Sequence, residues 1–151
     1  MNLSLQPAVQ SDHEFLYRLH CTTMRDYIVP TWGWDDQAQR AAFDRRVSTN
    51  PHQVILLDGQ RVGMLELEHH PTELFIANIQ VLPEKQGRGI GSAIIREIVE
   101  LAQSSDAVAT LQVLEVNERA RRLYERLGFR VVGAAPPHIR MRASRPPAGW
   151  H

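Results

Sequence analysis

The chain has 151 residues, with 17 basic and 17 acidic side chains and a single cysteine, Cys21. That length suits one domain with a full core, balanced charge gives no bulk attraction for nucleic acid or an anionic membrane, and a lone cysteine excludes an intrachain disulfide. No apolar run reaches the ~18 residues of a membrane span, and no charged segment precedes an apolar one at the start, so a soluble cytoplasmic protein is expected.

Leu3–Ala8 alternates weakly and predicts a short first strand. Ser11 is expected to open a helix through a Ser-x-x-Glu capping box with Glu14, and Phe15, Leu16, Leu19, Thr23 and Met24 follow at helical spacing. A second helix is predicted over Asp35–Val47, ended by the cluster Ser48–Pro51. Val54–Leu57, Arg61–Glu68 and Glu73–Leu82 read as three strands; Asp58-Gly59 joins the first two as a hairpin, and His69–Thr72 reads as the turn before the third. A helix follows with Ile90, Ala93, Ile94, Ile98, Leu101 and Ala102 as its apolar stripe and Arg96 and Glu100 in solvent. Thr110–Val116 reads as another strand. Asn117 caps the next helix, whose inner face is Ala120, Leu123, Tyr124 and Leu127 and whose stop is Gly128. Phe129–Gly133 and His138–Arg142 close the chain as strands, and Arg145–His151 is expected to be a flexible tail to one domain spanning 1–144. The order predicts an α/β fold with a mixed, mostly antiparallel central sheet flanked by helices.

The chemistry concentrates at Gln86-Gly87-Arg88-Gly89-Ile90-Gly91-Ser92, between an apolar strand and an amphipathic helix. Each glycine costs about 1 kcal/mol relative to alanine inside a helix, so three in five residues answer a need for close backbone approach. Amides at a helix N-terminus face the positive end of the macrodipole, which makes a phosphate the natural guest. The string is neither a Walker loop, which needs Gly-Lys-Ser/Thr, nor a dinucleotide fingerprint, since the preceding strands form hairpins rather than a βαβ crossover. A tight strand-to-helix turn with no ligand is the bland alternative.

A second segment, Asn117-Glu-Arg-Ala-Arg-Arg-Leu-Tyr124-Glu-Arg-Leu-Gly-Phe129, resembles the second signature of the GNAT N-acetyltransferase superfamily. Gln86, Gly89 and Gly91, after Val81-Leu82-Pro83, match its first signature, Gln/Arg-x-x-Gly-x-Gly/Ala. The resemblance covers roughly Glu73 to Phe129 and implies the family's acyltransferase fold. It also implies acetyl-CoA as co-substrate: pyrophosphate on the amides of Gln86 to Ser92 with Arg88 beside it, and pantetheine along Ile79, Gln80 and Val81. An N–H near Val81 would polarise the thioester carbonyl. Asn117 and Tyr124 would lie beside the cofactor, with Tyr124 as the acid for the departing thiolate. Each has a bland rival: Asn117 is a good N-cap in any protein, Tyr124 can be a core tyrosine, and Arg88 can be solvated.

An acceptor ammonium with pKa near ~10 must lose a proton before it attacks. Ribosomal-protein N-terminal acetyltransferases of this superfamily carry a glutamate five residues before the motif asparagine; here that position is Gln112, which cannot act as a base. Glu66 and Glu68, two apart on one strand face, are substitutes working through water, or else simply solvated carboxylates. Tyr27, Trp32, Trp34 and Asp35, near the connection of the first two helices, suit a cationic amine, or else staple and cap those helices. The histidines lack zinc-ligand spacing and no metal is expected. Cys21 beside His20 points another way, and the arginines of 119–126 are interrupted by Glu118 and Glu125, so neither a Cys/His dyad nor a nucleic-acid stripe is expected.

The expectation is therefore an acetyl-CoA-dependent N-acetyltransferase acting by direct attack of a primary amine in a ternary complex. Its acceptor is open between a small amine, an amino acid and a peptide N-terminus, and the resemblance admits a homodimer. A non-catalytic acyl-CoA-binding or sensing domain and a nucleotide-binding module are the alternatives.

Overall fold

A computed structural model describes residues 2–143, apart from the side chains of Thr31 and Trp32; the expected tail, Arg145–His151, lies outside the described residues. The elements are β1 (Leu3–Pro7), α1 (His13–Trp32), α2 (Asp36–Thr49), β2 (His52–Leu57), β3 (Gln60–His70), β4 (Glu73–Val81), α3 (Ile90–Ser104), β5 (Val108–Leu114), α4 (Glu118–Arg126), β6 (Phe129–Ala135) and β7 (His138–Ala143). The strands form a seven-stranded sheet in the order β1-β2-β3-β4-β5-β7-β6. The β4–β5 pair is parallel, whereas β1–β2, β2–β3, β5–β7 and β6–β7 are antiparallel. This is the mixed, mostly antiparallel architecture the sequence predicts. The chain divides into two compact units, one of residues 2–68 and 77–91, the other of 69–76 and 92–143.

In the first unit Leu16 and Leu19 of α1, Phe43 of α2, Val54 and Met64 form one buried cluster. The start of α1 departs from the capping box expected at Ser11: no side chain caps the helix. Asp12 instead ties the preceding turn, its Oδ2 accepting the Val9 N–H at 2.8 Å while its Oδ1 accepts from Arg61 Nε at 2.9 Å. Glu14 is drawn away to Arg40, at 3.0 Å. Asp35 caps α2 as read, accepting the Ala38 N–H at 3.1 Å. Asp58 and Gly59 both hold positive φ, 51° and 83°, as a two-residue hairpin of mirror-image type demands. The expected turn at His69–Thr72 is shorter, because β3 continues through His70.

In the second unit β4 pairs with β5 from Glu73↔Val108 to Ile76↔Leu111, and β5 pairs with β7 from Thr110↔Arg142 to Leu114↔His138. Ile94, Ile98 and Ala102 of α3 are buried as read, together with Ile95 and Val99, but Leu101 is 48% exposed. A 3.6-residue helix drifts about 20° per heptad, so the buried stripe has moved off Leu101 by the last turn. Asn117 caps α4 by accepting the Ala120 N–H at 3.1 Å, and Gly128 follows the helix at φ 94°.

Candidate functional site

After β4 the chain makes a 3-10 turn at Pro83–Lys85 and extends through Gln86. Gly87 and Gly89 then take φ of 77° and 81°, the left-handed region where a side chain is strained. Gly91 has no such φ, and a Cβ at Gly87, Gly89 or Gly91 would meet nothing within 4 Å. Neither packing nor backbone conformation requires a glycine at 91, and the space over the first turn of α3 is open. That turn has no acidic side chain to occupy its amides, and Ile90, 2% exposed, anchors it from below. Arg88 is exposed and Ser92 half-buried. Gln86 Nε2 donates to the Val81 carbonyl oxygen at 2.9 Å, tying the loop back to β4.

The parallel ladder from β4 ends at Ile76, while β4 itself runs on to Val81. Within that remainder Ile79 and Val81 are half-buried and Gln80 is buried. The Gln80 amide contacts Thr23 Oγ1 of α1 at 2.7 Å, a partnership with no local sequence signal because 57 residues separate the two.

Tyr124 is buried against Phe129, ring centroids 6.3 Å apart in an edge-on arrangement. Burial pushes its phenol up to about 12, so the hydroxyl keeps its proton at neutral pH. Asn117 is half-buried with its side-chain oxygen engaged as the α4 cap. Gln112 on β5 is half-buried and stands in register with Arg140 of β7. Arg140 lies over the Phe75 ring at 3.9 Å and donates to Glu73 Oε1 at 2.8 Å, to which the Thr110 hydroxyl also donates. The Thr110 hydrogen bond first, and then Arg140, hold the Glu73 carboxyl below its usual range against the opposing effect of burial.

Glu66 is not a solvated strand carboxylate. It is 0% exposed, its Oε1 accepts from Arg46 Nε and its Oε2 from Asn50 Nδ2, both at 2.7 Å, and His52 Nε2 stands 3.6 Å away. His52 is itself fixed, since its Nδ1 can only donate to the Asn50 carbonyl oxygen at 2.9 Å. Glu68, two residues on, is half-buried.

The stretch expected to connect the first two helices is mostly helix. Tyr27 and Trp32 lie on α1, leaving Gly33–Asp35 between helices. Tyr27 is half-buried, and the side chain of Trp32 lies outside the described residues. Trp34 carries the Arg25 guanidinium 5.3 Å from its ring centroid, stacks on His20 at 6.1 Å, and donates from Nε1 to Asp36. Asp35 is occupied as a cap. The cation-on-aromatic arrangement read for an incoming amine is thus already made, by Arg25. Desolvation lowers the pKa of His20, with Gln39 opposing by hydrogen bonding to it. Among the described residues no group of three or more His, Cys, Asp or Glu could hold a metal ion, and no helix is long and apolar enough to cross a membrane.

The chain matches the profile of the acetyltransferase (GNAT) family over residues 14–129. It is 32% identical over 114 residues to the N-alpha-acetyltransferase RimI of Mycobacterium tuberculosis, covering 71% of this chain and 70% of that protein. It is 41% identical over 56 residues to the thialysine N-epsilon-acetyltransferase of Bos taurus, a match spanning 36% of this chain and only 33% of the relative. Its fold is similar to that of the PaiA N-acetyltransferase of Thermoplasma acidophilum in complex with coenzyme A, with a TM-score of 0.74 at 13% identity, covering 95% and 99% of the two chains. A GNAT family acetyltransferase from Elizabethkingia anophelis with acetyl-CoA bound gives a TM-score of 0.66 at 14% identity over 94% and 97%.

Proposed function

Because the chain belongs to the acetyltransferase (GNAT) family, we propose that it transfers the acetyl group of acetyl-CoA to a primary amine. The observation that carries this reading is the glycine loop: two left-handed glycines, a third that nothing in the fold requires, and a helix start with no acid of its own. Amides of Gln86 to Ser92, aided by Arg88, would hold the pyrophosphate. Pantetheine would run along Ile79–Val81, the part of β4 beyond its parallel ladder. Since the family match runs through both compact units, we read them as one acetyltransferase domain.

In this scheme the neutral amine attacks the thioester carbonyl directly, and no covalent enzyme intermediate forms. Charge develops on the carbonyl oxygen, where the N–H near Val81 acts as an oxyanion donor worth about 3 kcal/mol. As the tetrahedral species collapses, the C–S bond breaks and Tyr124 gives its proton to the CoA thiolate. Burial keeps the phenol in the protonated form an acid needs, while a pKa of about 12 makes it a weaker donor than an acid matched to neutral pH. Asn117 acts chiefly by fixing the start of α4. For the base we favour Glu68, reached through water; Glu66 we assign to structure, because a carboxylate enclosed by two donors cannot pass protons to solvent. Tyr27, Trp32, Trp34 and Asp35 stay as the acceptor-side surface, with Trp34 and Asp35 shaping it rather than holding the amine.

A second reading, an acyl-CoA sensor without turnover, is favoured by Gln112 and the enclosed Glu66. A thiol-release assay with acetyl-CoA against small amines, amino acids and peptides with free N-termini separates the two. The enzyme reading expects CoA release with at least one acceptor class, and peptides lead the panel because RimI is named an N-alpha-acetyltransferase. Calorimetry showing no CoA binding at sub-millimolar concentration would sink both.

A further inference from the structure

Gln80 is 4% exposed, inside the first unit. Its Oε1 stands 2.7 Å from the Thr23 hydroxyl, and that hydroxyl is also 2.8 Å from the Leu19 carbonyl oxygen. A hydroxyl has one proton, and both neighbours as placed are acceptors. Turning the Gln80 amide by a half-rotation resolves the conflict: its NH2 then donates to Thr23, and Thr23 donates to Leu19. In either orientation the far end of the amide, where Nε2 now sits, is buried with no partner. A leucine or methionine at this position would carry no such penalty. The buried amide therefore carries a cost that packing alone does not explain.

What a polar contact adds is direction. An apolar side chain slides along a helix by tenths of an ångström with little loss, whereas a hydrogen bond weakens steeply with angle. Other constraints act on Gln80, Val81 and Leu82. A Cβ on Gly63 would lie 2.3 Å from the Gln80 carbonyl oxygen, so the two backbones touch. The Leu82 N–H donates to the Val62 carbonyl oxygen at 2.8 Å, and Gln86 holds the Val81 carbonyl oxygen at 2.9 Å. The last residues of β4 are thus pinned from α1, from β3 and from the glycine loop.

We infer that Thr23 and Gln80 are positioning residues for acyl transfer, their hydrogen bond locking the exit of β4 to α1 so that the Val81 N–H stays aimed at the thioester carbonyl. The inference rests on the acetyl-CoA reading above. Neither side chain touches the substrate; both act through the backbone between them and Val81.

Thr23→Val and Gln80→Met each remove the hydrogen bond while keeping volume. Since misplacement by about 1 Å can cost up to 10²-fold in rate, kcat should fall about 10-fold or more in each variant. The Kd for CoA should stay within about 2-fold, because CoA has no acetyl carbonyl to misalign. Gln80→Met should melt no lower than the parent, the double variant should lose no more than the worse single one, and amide exchange at Ile79–Leu82 should quicken. Unchanged kcat and exchange, or a kcat loss matched by an equal loss of CoA affinity, overturns the lock. Faster exchange in variants of a parent that neither binds CoA nor turns over would instead refute the acetyl-CoA reading, since exchange needs no catalysis.

Discussion

Replacing Glu66 by glutamine decides whether this carboxylate is a base or a structural anion. The substitution keeps shape but removes the charge that faces Arg46 and leaves an NH2 against a donor that formerly had an acceptor. Removing one partner of a buried ion pair typically costs about 3–5 kcal/mol. The Arg46 side chain is 40% exposed, so water recovers part of its loss, and a cost of about 2–4 kcal/mol is the reasonable range. For a chain of this length each kcal/mol moves the melting midpoint by about 2–4 °C, so Glu66→Gln should melt roughly 5–15 °C lower. Turnover per folded molecule, measured by thiol release well below that midpoint, should fall less than about 3-fold, against the 10²-fold or more that losing a general base removes. A variant that melts with the parent yet loses turnover together with the acidic limb of its pH–rate profile would refute the structural assignment and restore Glu66 as the base.

Tyr124→Phe should lower kcat by about 10²-fold while CoA binding by calorimetry is retained; with the phenol pushed up to about 12, the parent should show no alkaline decline from this group below about pH 11. Gly63→Ala and Gly91→Ala should diverge. The first drives a Cβ into the Gln80 backbone and should cost about 3 kcal/mol or prevent folding, whereas the second meets open space and should gain about 0.5–1 kcal/mol of helix stability while weakening CoA binding, read by denaturant titration and calorimetry. Glu73, whose folded pKa is lowered from 4.5, contributes stability that is present above that value and lost as pH falls through its folded pKa. Acid titration of Glu73→Gln should therefore show its deficit at neutral pH shrinking below about pH 4.

Where a residue's role depends on near neighbours in the chain, the sequence was a good guide. Asp58-Gly59, the Asp35 and Asn117 caps, and Gly128 all behave as their local chemistry predicts. Ser11 failed because its rival was distant: Asp12 gains Arg61, 49 residues on, as well as the Val9 amide. Glu66 read as a water-linked base or a solvated carboxylate, and its enclosure was not legible because Arg46 and Asn50 arrive from α2 and the turn after it. The backbone demand of the glycine loop was legible, because the left-handed φ of Gly87 and Gly89 calls for glycine. The Thr23–Gln80 contact was not, since Thr23 reads equally well as an ordinary inner-face residue of α1.

The start of α3 has a consequence for the lifetime of the protein. With no acidic side chain in its first turn, the positive end of the helix is not balanced from within that turn, and on the proposed reading a bound anion balances it. A ligand that binds only the folded chain stabilises it by mass action, by about 2.7 kcal/mol at a hundred times its Kd. With acetyl-CoA as that anion, resistance to heat and to proteolysis would rise and fall with its supply. A well-fed cell would then hold more of this protein than a starved one at the same rate of synthesis.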